Sequence, residues 1–109
     1  DIQILGIGTN GHIAFNEPGS SRYSATRIVD LTENTINDNS RFFDPLEPIP
    51  TQAFTMGLSS ILDAKRIYLM ANGKHKEKIL EEAVYGDIHE GLPASYLQQH
   101  PNCEVLYCD

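Results

Sequence analysis

Apolar positions along the chain switch between two periods. Residues 2–7, Ile-Gln-Ile-Leu-Gly-Ile, are a nearly continuous apolar run with a β-branched bias that ends in glycines, which predicts a strand buried on both faces. Residues 66–71, Arg-Ile-Tyr-Leu-Met-Ala, predict another buried strand, broken by Asn72-Gly73. The period then lengthens: Ile79, Leu80, Ala83 and Val84 form one apolar stripe of a helix over 74–85. Residues 66–85 therefore read as strand, turn and helix.

Shorter elements fill the remainder. Residues 27–30 predict a short strand, and Thr32 is placed to cap a helix over 33–43, with Glu33 in its first turn and Arg41 in its last. Residues 44–50 hold three prolines and predict a connection. A short helix over 58–63, a helix opened by Pro93 and running to 99, and a closing strand over 104–107 complete the reading. Strands alternating with helices predict an α/β fold with a mainly parallel, Rossmann-like open sheet flanked by helices. The chain passes from Asp1 directly into an apolar run, which reads as a strand already under way and predicts that these residues come from a longer protein.

Composition narrows the partners. Fifteen acidic against eight basic residues give a net charge of −7, which argues against a nucleic-acid surface. No apolar run approaches the roughly 20 residues of a membrane-spanning helix, so neither a span nor a signal peptide is expected. Cys103 and Cys108 lie five apart in a strand-like segment, and alternation sends them to opposite faces. They are expected to be reduced core thiols rather than a zinc pair or a disulfide. With no Asn-x-Ser/Thr sequon present, a cytoplasmic location is the simpler expectation.

The chemistry concentrates between residues 6 and 19. Gly6-Ile7-Gly8-Thr9-Asn10-Gly11 literally matches a dinucleotide fingerprint after a strand, with Asp30 near the spacing of a ribose-binding acid. That fingerprint needs a helix to open at its third glycine, yet Pro18-Gly19 follow Gly11 too closely for one. A Gly-rich turn formed by Gly6, Gly8 and Gly11 is the better reading. After it, His12-Ile13-Ala14-Phe15-Asn16-Glu17-Pro18 puts an acid–base side chain, an amide and a carboxylate at the C-terminal end of a strand, where ligands bind in open α/β sheets. A histidine beside a carboxylate is suited to moving protons near neutral pH, although a loop histidine bonded to backbone is equally compatible with the residues alone. One histidine and one carboxylate are too few ligands for a metal.

The run Leu5-Gly6-Ile7-Gly8-Thr9-Asn10-Gly11-His12-Ile13-Ala14-Phe15-Asn16-Glu17-Pro18 closely resembles the signature of the glucosamine-6-phosphate deaminase family. The resemblance continues through Ser40-Arg41-Phe42-Phe43, Thr55-Met56-Gly57 with Ile61-Leu62, Gly73 to Lys76, and Pro93-Ala94-Ser95-Tyr96-Leu97-Gln98-Gln99-His100. It covers residues 1–109, but only as the C-terminal half of a member roughly twice as long. It implies conversion of glucosamine 6-phosphate and water to fructose 6-phosphate and ammonia, without metal or organic cofactor. It further implies that His12 moves the proton at the ring oxygen, that Glu17 orients it, and that Arg41 and Lys76 hold the substrate phosphate. Many members carry an acid two residues before the histidine; Asn10 stands there, so its implied role is polar positioning. The family assigns the carbon-to-carbon proton transfer to an aspartate, and part of the phosphate cradle to a Gly- and Ser-rich loop, both in the other half. The resemblance thus implies that this chain alone does not deaminate.

Without the resemblance, Arg41 reads as a helix C-terminal cation on a solvated face, whereas Lys76, in the first turn of a helix after a strand, is better placed to meet an anion. A 6-phosphogluconolactonase shares the glycine turn and the histidine but lacks the Ile-Ala-Phe-Asn-Glu-Pro continuation. A galactosamine-6-phosphate isomerase and a non-catalytic phosphosugar-sensing domain remain alternatives, as does self-association of the chain.

Overall fold

The structure, a computed structural model, describes residues 1–42 and 48–109. Most of the connection expected over 44–50, and the end of the helix expected at Phe43, lie outside the described residues.

The described residues form five strands and three α-helices: β1 (Ile2–Leu5), β2 (Arg27–Asp30), α1 (Glu33–Asn39), β3 (Gln52–Thr55), α2 (Leu58–Leu62), β4 (Arg66–Asn72), α3 (Glu77–Tyr85) and β5 (Cys103–Cys108). Three-residue 3-10 turns extend α1 over Ser40–Phe42 and precede α3 over Lys74–Lys76, and a longer one spans Pro93–Gln99. The main sheet has the order β1-β4-β5 and is parallel throughout, with Ile2 opposite Arg66 and Ile67 opposite Cys103. This is the α/β architecture expected from the alternation of periods, with α3 as the crossover between β4 and β5.

Local chemistry accounts for the helix boundaries. Thr32 adopts an extended conformation and its Oγ1 accepts a hydrogen bond from the Thr35 amide at 3.2 Å, satisfying one of the donors a helix start leaves open. Beyond Asn72 the chain turns at Gly73, whose φ of 93° lies in the left-handed region that glycine enters without steric cost. On α3, Leu80 and Ala83 are buried, and they meet the Pro93–Gln99 turn, whose residues 93–97 are all buried. With Leu5, Ile67 and Leu69 they form the core.

Several expectations need correcting. β1 ends at Leu5, and Ile7, although buried, already belongs to the loop. Neither β1 nor β4 is buried on both faces: Ile2 and Ile4 are 63% and 65% exposed, while Met70 and Leu106 are exposed on the same side of the sheet. Apolar content gives a strand's propensity, but burial of each face depends on what packs there, and among the described residues α3 and the Pro93–Gln99 turn cover one face. The sheet is also not the whole β content. Strand β3, absent from the sequence reading, pairs antiparallel with β2, Ile28 opposite Phe54, as a separate ribbon. Its four residues lie just after the proline-rich connection and carry no periodicity long enough to register. Only Cys103 packs against the core, where burial pushes its thiol pKa up; Cys108, at the end of the exposed edge strand β5, is exposed and not a core thiol.

Candidate functional site

The loop after β1 is built by its glycines. The Gly8 amide donates to the His12 carbonyl at 2.9 Å and the Gly11 amide to the Gly8 carbonyl at 2.9 Å, closing a tight turn in place of a helix. No helix forms between residues 12 and 19, so the geometry of a dinucleotide fingerprint is not met. Gly11 has φ 89°, and a Cβ there would lie 2.1 Å from Leu92 Cδ1. Gly8 is needed for a different reason: a Cβ would lie 2.2 Å from Cε1 and 2.4 Å from Nδ1 of the His12 ring, which rests directly on it. Gly6 has nothing within 4 Å of an added Cβ, so its place in the turn is not sterically demanded.

Beyond the turn, Asn16 is fully buried and its amide nitrogen donates to the carbonyls of Ile13 (3.1 Å) and Met56 (2.9 Å). Its oxygen accepts from the Arg27 guanidinium at 3.0 Å, and the Phe15 amide donates to Thr55 Oγ1 at 3.0 Å. These bonds fasten the loop to the β2–β3 ribbon. Ala14, at φ 51°, is the one non-glycine residue with positive φ among those described, and it marks the tightness of the bend between Ile13 and Asn16.

His12, Asn10 and Glu17 are brought together. Asn10 Oδ1 accepts from the His12 backbone amide at 3.2 Å and lies 2.9 Å from His12 Nδ1, while Asn10 Nδ2 donates to Glu17 Oε2 at 2.8 Å. Glu17 Oε1 lies 3.4 Å from His12 Nδ1. Both oxygens facing Nδ1 are acceptors, so the network assigns the proton of a neutral ring to Nδ1 and leaves Nε2 as the base. The amide orientation of Asn10 is equally determined, because its nitrogen faces a carboxylate and its oxygen faces two donors. The sequence reading missed Thr35, a buried residue of α1 whose hydroxyl donates to Glu17 Oε1 at 3.5 Å. No local motif links positions 17 and 35.

His12, Asn10, Gly6 and Gly8 line a cavity of about 780 Å³, a size suited to a small molecule. Arg41 and Lys76 reach the same cavity from the turn after α1 and the turn before α3, and His75, also unforeseen, lines it beside Lys76. Lys76 Nζ donates to the Ile7 carbonyl, and the Arg41 guanidinium carbon lies 4.7 Å from the Phe42 ring centroid. Two cations, Arg41 and Lys76, and one carboxylate, Asp38, therefore border the cavity of a chain with net charge −7, a local arrangement in which the two cations can meet an anion while the imidazole exchanges a proton. Among the described residues no three His, Cys, Asp or Glu side chains converge as a metal site.

The chain is similar to glucosamine-6-phosphate deaminases along nearly all of its length. The glucosamine-6-phosphate deaminases of Staphylococcus haemolyticus and Streptococcus sanguinis are 56% and 55% identical to it over 109 and 106 residues, covering 100% and 97% of the chain. The chain spans 45% of the length of each. A solved structure of a monomeric glucosamine-6-phosphate deaminase superposes with a TM-score of 0.91 at 46% identity, covering 99% of this chain and 45% of that one. The family model for glucosamine-6-phosphate isomerases and 6-phosphogluconolactonases matches residues 1–107. With that match along nearly its whole length, the chain belongs to the glucosamine-6-phosphate isomerase/6-phosphogluconolactonase family.

Proposed function

We propose that this chain supplies the ring-opening half of a glucosamine-6-phosphate deaminase site, as the C-terminal part of a cytoplasmic protein of its relatives' length. The observation that carries the reading is the His12–Asn10–Glu17 network, which fixes one ring nitrogen and frees the other at a cavity bordered by two cations. In this reading Nε2 of neutral His12 takes the proton of the C1 hydroxyl, and the imidazolium so formed delivers a proton to the pyranose ring oxygen as the C1–O5 bond breaks, which returns the ring to its neutral form. Glu17 and Asn10 hold the ring and stabilise the imidazolium. A carboxylate outside this chain then carries the C2 proton to C1, and water releases ammonia from the resulting imine. Division of labour across two halves also suits the uncovered apolar face of the sheet at Ile2, Ile4, Met70 and Leu106, which further chain or another copy would cover. The 109 residues alone would lack the isomerisation step.

The test is ammonia and fructose 6-phosphate formation from glucosamine 6-phosphate by the whole protein, run beside galactosamine 6-phosphate and 6-phosphogluconolactone. Turnover of glucosamine 6-phosphate is expected; hydrolysis of the lactone without ammonia release would overturn the reading.

Lys76 and Arg41 are read as the phosphate contacts of this half. A charged hydrogen bond contributes about 1.5–3 kcal/mol, so Lys76→Ala is expected to raise KM for glucosamine 6-phosphate roughly tenfold or more while moving kcat less. An unchanged KM would place the phosphate elsewhere.

A further inference from the structure

We propose that Thr35 is a positioning residue for the acid–base network, acting through Glu17. Thr32 Oγ1 accepts from the Thr35 amide and donates to Thr35 Oγ1 at 2.9 Å, so the Thr32 hydroxyl proton is spent on Thr35. The Thr35 hydroxyl, having accepted that proton's bond, turns its own hydrogen toward Glu17 Oε1. Glu17 then accepts from two donors, Thr35 on Oε1 and Asn10 on Oε2, with His12 Nδ1 3.4 Å from Oε1, which restricts the orientation of the carboxylate.

Thr35 can do this because its surroundings hold it in place. It is 6% exposed, its carbonyl accepts from Asn39 Nδ2 at 2.9 Å, and the start of α1 is tied to the strand ribbon by the Leu31 amide bonded to the Thr51 carbonyl at 2.8 Å. The helix cap, a device for starting α1, thereby also orients the carboxylate that holds His12. Thr35 lies at the wall of the cavity with its hydroxyl directed to Glu17, and such relayed fixation is how a side chain holds a reacting group within the fraction of an ångström that catalysis needs.

The kinetic arm of the test rests on the deaminase reading; a spectroscopic arm does not. In the whole protein, Thr35→Val keeps the shape and removes the hydroxyl, and Thr35→Ser keeps the hydroxyl and removes the methyl. The Val variant is expected to lower kcat roughly tenfold with KM unchanged, and the Ser variant to restore it. Added to His12→Ala, Thr35→Val should cost nothing further, since it works through that ring. Independently of any activity, the ¹⁵N shifts of the His12 imidazole should change in Thr35→Val and stay in place in Thr35→Ser. If Thr35→Val does not fold, Thr35→Ala is read against Ser in the same two arms. Unmoved His12 shifts, or equal losses in the Val and Ser variants, overturn the proposal. A wild type that releases no ammonia while the shifts behave as stated overturns the functional reading alone.

Discussion

His12→Ala in the whole protein is expected to lower kcat for glucosamine 6-phosphate by roughly 10²–10⁴-fold, the range of a general acid–base group, with little change in KM. KM should hold because the cations assigned to the phosphate, Arg41 and Lys76, come from other parts of the cavity wall. Stability should hold as well, since the His12 side chain is partly exposed and is not part of the core. The discriminating measurement uses an acyclic analogue that cannot close its ring. If His12 serves ring opening, the loss on this analogue is much smaller than on the cyclic substrate. Equal losses on both would assign His12 to a later step.

Gly8→Ala is expected to be nearly as damaging without touching a titratable group. The added methyl would sit 2.2 to 2.5 Å from three atoms of the His12 ring, where carbon atoms need roughly 3.5 Å. The ring must therefore move by about 1 Å, and the 2.9 Å approach of Nδ1 to Asn10 cannot survive that shift. A displacement of this size at a reacting group costs on the order of 10²-fold, expected here mainly in kcat. The backbone has no reason to refold, because Gly8 is not in the left-handed region and an alanine amide can still donate to the His12 carbonyl. Circular dichroism and melting temperature should stay near wild type while activity falls. A Gly8→Ala enzyme with full kcat would mean that the imidazole does not rest on this glycine during catalysis.

These two substitutions differ in what made them visible. His12 and Glu17 stand five residues apart in a loop whose glycines and proline forbid a helix, and their meeting is a matter of local chain geometry. The same holds for the Thr32 cap, for the stripe of Leu80 and Ala83 on α3, and for Gly73 turning the chain between β4 and α3. Each depends on backbone preferences and side-chain spacing within a few residues, which a sequence states directly. The parallel sheet followed from these, since strands joined through helices have few other ways to pair.

What the sequence could not state are the contacts that close over distance. Thr35 reaches Glu17 from eighteen residues away, Asn16 is clamped by Met56 forty residues on, and Lys76 meets the Ile7 carbonyl across sixty-nine. The burial of one sheet face and the exposure of Ile2 and Ile4 on the other belong to the same class, as does the pairing of β3 with β2. Such relations are set by how whole elements pack, and packing responds to the shape of every neighbour at once. A histidine and two cations could thus be picked out one by one along the chain, but only the folded arrangement of the loop, the turn after α1 and the turn before α3 put them around a single cavity, because no local preference acts across the tens of residues that separate them.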